Sequence, residues 1–188
     1  QDVEQYSPAI SIPPRCPHQK ADVERVKMSA MRKAIADNMV KSFYEAPHAS
    51  LITEVDVTRV MQLIQAQKAA FLAQHGSKLT ISAVVARAIC RALQASPLLN
   101  ASLEEDTIVM KRFVHLGVAV SVDQGVMVPV LRNCGALSLA EISQQITDLA
   151  LKAREHRLSP LDVKEGTITM TNFGMTGTLL GIPIIRYP

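Results

Sequence analysis

Tryptophan is absent from the 188 residues, and aromatic side chains make up only 4% of them. Any core must therefore be aliphatic, built from Val, Ile, Leu, Met and Ala. Cysteine is scarce as well. Cys16, Cys90 and Cys134 are widely spaced and form no CxxC pair, so neither a zinc site nor a disulfide framework is indicated. A reducing compartment is the natural expectation, either bacterial cytoplasm or mitochondrial matrix. No apolar run reaches transmembrane length and no signal-peptide pattern opens the chain, so no membrane association is expected. A strong charge of one sign is missing too. The net charge of +3 is too mild to argue for a nucleic-acid partner.

Several catalytic signatures are equally absent. There is no GxGxxG, no GxxxxGK[ST] and no GxSxG, which leaves nucleotide-phosphate loops and serine-hydrolase elbows unsupported. The five histidines, His18, His48, His75, His115 and His156, share no metal-ligand spacing, and no HExxH occurs. No metal is expected.

What is present is a hydrophobic fraction of 48% in a chain long enough for one domain with a core of its own. Residues 1 to 26 read as a proline-rich linker or arm, interrupted by Pro8, Pro13, Pro14 and Pro17. Periodicity then begins. Met31, Ile35, Met39 and Phe43 predict a helix that Pro47 ends. Leu51, Thr53, Val55 and Val57 alternate with Ile52, Glu54 and Asp56, which predicts a half-buried strand. Thr58 is the expected cap of a second helix carrying Val60, Met61, Ile64, Phe71 and Leu72 and stopped by Gly76. Thr80 or Ser82 caps a third, running through Val84, Val85, Ala88, Ile89, Ala92 and Leu93 to Pro97. That helix is nearly apolar all round and is expected to be deeply buried.

Ile108 to Met110 reads as a short strand. The apolar runs His115 to Val122 and Val126 to Leu131 flank Asp123-Gln124-Gly125, a hairpin turn between central strands. Ser138 caps a helix with Ile142, Ile146, Leu149 and Ala150, whose last turn carries Lys152, Arg154 and Arg157. Thr167 to Asn172 is a final strand, followed by a loop punctuated by Gly174, Gly177 and Gly181. Alternating strands and helices predict an α/β, layered α+β fold with a mixed sheet and packed helices.

The one local pattern that suggests chemistry is Thr171-Asn172 at a strand end. A hydroxyl and an amide there can stabilise a developing oxyanion. They can equally make the local side-chain-to-backbone bonds common at strand ends. Residue types alone favour the local structural role and do not point to chemistry.

The order of segments does. Met31-Arg-Lys-Ala-Ile-Ala-Asp-Asn-Met-Val-Lys-Ser42 resembles the opening helix of the dihydrolipoamide acyltransferase catalytic domain of 2-oxo-acid dehydrogenase complexes. Pro47-His48 with Glu54-Val55-Asp56-Val57-Thr58 is similar to that family's first strand. Pro97-Leu-Leu-Asn-Ala-Ser102, Leu116-Gly-Val-Ala-Val120, Gly125-Val-Met-Val-Pro129, Ala153-Arg154-Glu155, Gly166-Thr-Ile-Thr-Met-Thr-Asn-Phe-Gly174 and Pro183-Ile-Ile185 follow in the family's order across residues 27–188. The resemblance implies a chloramphenicol acetyltransferase-like fold, assembled as homotrimers into a larger core. It implies an active-site channel between subunits, entered by coenzyme A at one end and by a lipoyl arm at the other. The lipoyl group would be carried on a domain not present in this chain. A 2-oxo-acid decarboxylase and a dihydrolipoamide dehydrogenase would be the partner enzymes.

The implied reaction is acyl transfer, acetyl by preference, from dihydrolipoamide to coenzyme A, with succinyl or branched-chain groups as alternatives. By the family pattern the oxyanion hydroxyl is Thr171, and Asn172, Thr80 and Ser121 fall at coenzyme A-contacting positions. Most members carry Ser where Thr80 stands and Asp where Ser121 stands, so Ser121 lacks a charge the pattern has. Thr80 keeps its other role as a helix cap. The family's catalytic histidine belongs to a DHRxxDG motif, and none of the five histidines here lies in one. The expectation is a catalytic domain that is C-terminally incomplete and inactive alone, the rest of the site lying in further chain. Two other classes remain: a non-catalytic assembly protein that binds the partner enzymes, and a chloramphenicol acetyltransferase-like enzyme with another acceptor.

Overall fold

A computed structural model describes residues 24–123, 125–174 and 177–185. The expected linker or arm over residues 1–26 falls almost wholly outside them, as do Cys16 and His18. Helix α1 spans Ala30–Glu45, opened by Ser29, whose hydroxyl accepts from the Arg32 backbone N–H at 3.2 Å. Its expected apolar face is only partly covered. Phe43 is 63% exposed, and of the whole helix only Ser42 is fully buried.

The expected half-buried strand from Leu51 to Val57 is not formed. The segment carries no strand pairing and is exposed at every position, Leu51 completely so. Alternation and β-branching favour extended backbone locally, but a strand is completed by a ladder partner. None of the described residues supplies one.

Helix α2 covers Thr58–His75. Thr58, the expected cap, is its first residue; Val57 stands at the cap position without a side-chain cap bond, and the Asp56 Oδ1 accepts from the Thr58 N–H at 2.8 Å. Those hydrogen bonds hold the Asp56 carboxyl below its ordinary range. Gly76 ends the helix in the left-handed region, φ 66°, donating to the Leu72 carbonyl at 2.9 Å. Helix α3, Ile81–Ala95, is capped by Thr80, which accepts from the Ala83 N–H at 3.2 Å. It is not buried all round. Ala83, Ala86, Cys90 and Leu93 form one hidden stripe at helical spacing, whereas Ala88 and Ala92 face outward and Val85 is 38% exposed. Much of the apolar count that suggested full burial was alanine, which loses little by facing water.

A 3-10 turn over Pro97–Asn100 leads into the antiparallel pair β1, Ala101–Glu104, and β2, Thr107–Met110, with Leu103 opposite Ile108. The two longer runs are each interrupted. They divide into β3 (Leu116–Val118) and β4 (Val120–Val122), then β5 (Gly125–Met127) and β6 (Val130–Leu131). Pro129, with no N–H to give, breaks the second run. The expected hairpin exists as β4 with β5, Val122 facing Gly125; Gln124 of the turn lies outside the described residues. Central burial holds for β3 and β6 but not for β4 and β5, where Ser121, Gly125 and Val126 are exposed.

Helix α4, Leu139–Arg154, opens with a reciprocal capping box. Ser138 accepts from the Glu141 N–H, and Glu141 accepts from the Ser138 N–H at 2.7 Å. Arg157 lies beyond its last turn and pairs with Glu155 instead. The final strand is shorter than expected: β7 is Ile168–Met170, so Thr167, Thr171 and Asn172 flank it. It runs parallel to β3, and β6 runs antiparallel on β3's other side, giving the order β6-β3-β7.

The core lies between this sheet and helices α3 and α4. Leu116, Val118, Leu131 and Met170 meet Ala83, Ala86, Cys90, Leu93 and Ile142, with Val114 and Cys134 between them. Its members are aliphatic or sulfur-bearing side chains, in keeping with the low aromatic content. Cys90 and Cys134 are free, fully buried thiols. The neighbouring Cys90 thiol and burial push the Cys134 thiol up, against the opposing charge of Arg87.

Candidate functional site

The parallel pairing of β3 with β7 fixes where the Thr-Asn segment emerges. Val118 lies opposite Met170, and the Ala119 N–H donates to the Met170 carbonyl at 3.0 Å. One residue later the chain leaves the sheet. Asn172 then makes two bonds. Its Oδ1 accepts from the Gly174 N–H at 2.8 Å, a local turn of the kind asparagine favours. Its Nδ2 donates to Ser82 Oγ at 3.3 Å, across 90 residues of sequence.

That second bond docks the strand end onto the first turn of α3. Thr80, Ser82 and Asn172 therefore gather at a helix N-terminus, where unpaired N–H groups and the helix dipole favour negative charge. Thr80 performs the capping role; its hydroxyl is committed to the Ala83 N–H. Thr171 is exposed, and its hydroxyl makes no hydrogen bond with any described residue. It is thus available to a group outside the chain. Ser121 lies on exposed β4 opposite Val126, two residues beyond the Ala119 that bonds Met170, and makes no hydrogen bond to Thr171 or Asn172 among the described residues. Of the four expected site residues, the structure brings Asn172 to the α3 terminus beside Thr80, keeps Thr171 next to it, and does not join Ser121 to them.

Three of the four described histidines are engaged elsewhere, His156 being the exception. His115 is buried, stacked on Phe113 with ring centroids 4.4 Å apart, and its Nδ1 accepts from the Asn133 N–H at 3.1 Å. His48 Nε2 accepts from the Ile185 N–H at 2.8 Å. His75 lies against Phe71. None is hydrogen-bonded to Thr171 or Asn172. No group of three or more potential metal ligands is found among the described residues. An open groove of about 710 Å³, lined by Val55, Asp56, Val57, Thr58, Met61, Gln62 and Gln65, contains none of the expected site residues. Ser82 was expected only as an alternative cap. Its pairing with Asn172 joins residues too far apart in sequence for any spacing rule to reveal.

The sequence matches the family described as "2-oxoacid dehydrogenases acyltransferase (catalytic domain)" over residues 20–188. The chain belongs to that acyltransferase family. It is 40% identical over 166 residues to the dihydrolipoyllysine-residue acetyltransferase component of the Bacillus subtilis pyruvate dehydrogenase complex, covering 87% of this chain and 37% of that protein. It is 35% identical over 201 residues to the succinyltransferase component of the B. subtilis 2-oxoglutarate dehydrogenase complex, covering 100% and 48%. The chain thus spans less than half the length of these two curated relatives. Among solved structures, a probable dihydrolipoamide acetyltransferase from Listeria monocytogenes superposes with TM-score 0.85 at 33% identity, covering 89% of this chain and 72% of the other. The cubic core of the pyruvate dehydrogenase multienzyme complex superposes with TM-score 0.84 at 30% identity, covering 93% and 73%. The mixed α/β architecture is therefore that of the acyltransferase family's catalytic cores, the chloramphenicol acetyltransferase-like fold expected from the sequence.

Proposed function

We propose that this chain forms the oxyanion and coenzyme A side of an acyltransferase site that moves an acyl group from dihydrolipoamide to coenzyme A. The observation that carries this reading is the Thr171-Asn172 pair at the end of β7, tied through Asn172 to Ser82 at the start of α3. In the reaction a base takes the proton from the coenzyme A thiol. The sulfur attacks the thioester carbonyl carbon, whose oxygen becomes an oxyanion. Collapse expels the dihydrolipoamide sulfur, which takes up the proton. The unengaged Thr171 hydroxyl is the donor to that oxyanion, worth about 3 kcal/mol for a well-aimed group. The first turn of α3, with Thr80 and Ser82, offers N–H groups to a phosphate-bearing ligand such as coenzyme A. Ser121 belongs to the coenzyme A set only by family pattern. The base is assigned to none of the histidines in these 188 residues; His48 and His115 already spend ring nitrogens on backbone N–H groups.

Acetyl is the acyl group we favour, with succinyl as the alternative, since relatives of both kinds are similar to this chain. Homotrimers built into a larger core are the proposed assembly, serving a 2-oxo-acid decarboxylase and a dihydrolipoamide dehydrogenase. Exposed Phe43, Tyr44, Leu51, Leu103 and Ile108 support self-association, because isolated chains seldom leave that much large apolar surface bare. The test is acyl transfer to coenzyme A by the assembled subunit. Thr171→Val should lower kcat roughly a hundredfold with little change in the KM for coenzyme A, and Thr171→Ser should keep most of the activity. Unchanged turnover in the valine variant would remove the oxyanion role. A wild-type subunit that assembles and binds the partner enzymes without transferring acyl groups would instead favour the non-catalytic assembly role.

A further inference from the structure

One tie between helix α1 and the rest of the chain runs through Ser42. Ser42, its one fully buried residue, donates its hydroxyl to the Ile185 carbonyl, and His48 Nε2 accepts from the Ile185 N–H at 2.8 Å. Both backbone groups of one residue are thus gripped by side chains 143 and 137 positions away. Pro47 makes this possible. It ends the helix through Ala46, which is extended at φ −118° and ψ 97°, and turns the chain so that His48 and Ser42 meet the same residue.

Ile185 is the last described residue of the segment that follows Thr171-Asn172. That segment holds Gly174, Gly177 and Gly181, and Gly177 sits in the left-handed region at φ 68°. Phe173, beside Asn172, touches Gly181. A Cβ placed on Gly181 would lie 2.6 Å from two ring carbons of Phe173, so the Phe173 ring rests directly on the Gly181 backbone. A continuous set of contacts runs from His48 and Ser42 to Ile185, along four residues to Gly181, onto Phe173, and so to Asn172 and Ser82.

We propose that Ser42 and His48 are positioning residues: by clasping Ile185 they fix the loop that presents Thr171 and Asn172. The functional half of this statement rests on the acyltransferase reading of Thr171 and Asn172; the mechanical half does not. His48 acts as a neutral acceptor, its Nε2 lone pair already taken by Ile185, and is not the proton-transferring base. Gly181 is the point through which the clasp reaches the site, because any side chain there displaces Phe173.

The test is hydrogen exchange on the intact chain, which needs no acyl substrate and so stands or falls separately from the Thr171→Val assay. His48→Ala should raise exchange at the Ile185 amide at least tenfold. It should also raise exchange at Gly174, whose N–H is held by Asn172. His48→Gln, which keeps an acceptor at that reach, should restore both. Ser42→Ala gives a milder form of the same pattern if the histidine variant folds poorly. Gly181→Ala should release Gly174 while leaving Ile185 protected. Release at Ile185 without release at Gly174 overturns the coupling, as does failure of the glutamine variant to restore protection. Loss of acyl transfer in both His48 variants with Ile185 still protected would make His48 the base and end the proposal.

Discussion

Gly117 sits in the middle of β3, buried between Val130 of β6 and Thr169 of β7. Replacing it with alanine sets two effects against each other. A strand glycine wastes about 0.5–1 kcal/mol of backbone entropy, so alanine in open space would stabilise the fold by roughly that much. Here the space is not open. The new Cβ would stand 2.8 Å from Val128 Cγ1, 3.1 Å from Thr169 Oγ1 and 3.5 Å from the Ile168 carbonyl oxygen. Val128 cannot easily give way: it is β-branched, with a restricted χ1, and precedes the buried Pro129. Overpacking of this kind costs about 1–3 kcal/mol and should win. Gly117→Ala is therefore expected to lower the urea midpoint at unchanged m-value by a net of about 1–2 kcal/mol. For a domain of this size that is a Tm loss of about 2–4 °C per kcal/mol. Val128→Ala removes the methyl that blocks the Cβ. The double variant should then be more stable than the sum of the singles by at least about 0.5 kcal/mol. A Gly117→Ala protein as stable as the parent, or singles that add, would refute this account of the sheet.

The Glu141 and Asp162 carboxyls accept the backbone N–H groups of Ser138 and Ser159, which holds both below their ordinary range. Carboxyl NMR titration should find their midpoints below the unfolded references of about 4.3 and 3.9. The stability they contribute is then full above those values and is lost as pH falls through the folded midpoints; midpoints at or above the references would contradict these two hydrogen bonds. Cys90 and Cys134 are both fully buried, so iodoacetamide should label neither in the native protein and both after denaturation. Peptide mass spectrometry reads this directly, and native labelling at either position would dismiss the buried pair.

What sequence reveals here is what neighbours in sequence decide. The Thr80 and Ser138 caps, the glycine stop at Gly76 and the hairpin around Asp123 and Gly125 all follow from residues within a few positions of one another. The strand expected at Leu51–Val57 failed because its other half is a ladder partner, which no local pattern can supply. Thr58 became the first helical residue instead of the cap, with Val57 at the cap position and the Asp56 carboxylate accepting the Thr58 N–H. The site divides the same way. Thr171 and Asn172 stand out by residue type and family pattern, whereas the Asn172–Ser82 bond and the grip of Ser42 and His48 on Ile185 span 90 to 143 residues. Only the folded chain brings those groups together. Resemblance supplied the chemistry that periodicity could not, and it also grouped Ser121 with residues to which no hydrogen bond joins it.

The central claim is that coenzyme A meets this chain where β7 ends against the first turn of α3. Titrating the protein with coenzyme A and mapping backbone amide shifts tests it most directly. The amides of Thr80, Ser82, Thr171 and Asn172 should move together and saturate at one concentration. If coenzyme A saturates while those four stay still and the groove from Val55 to Gln65 shifts instead, the site has been put on the wrong part of the fold.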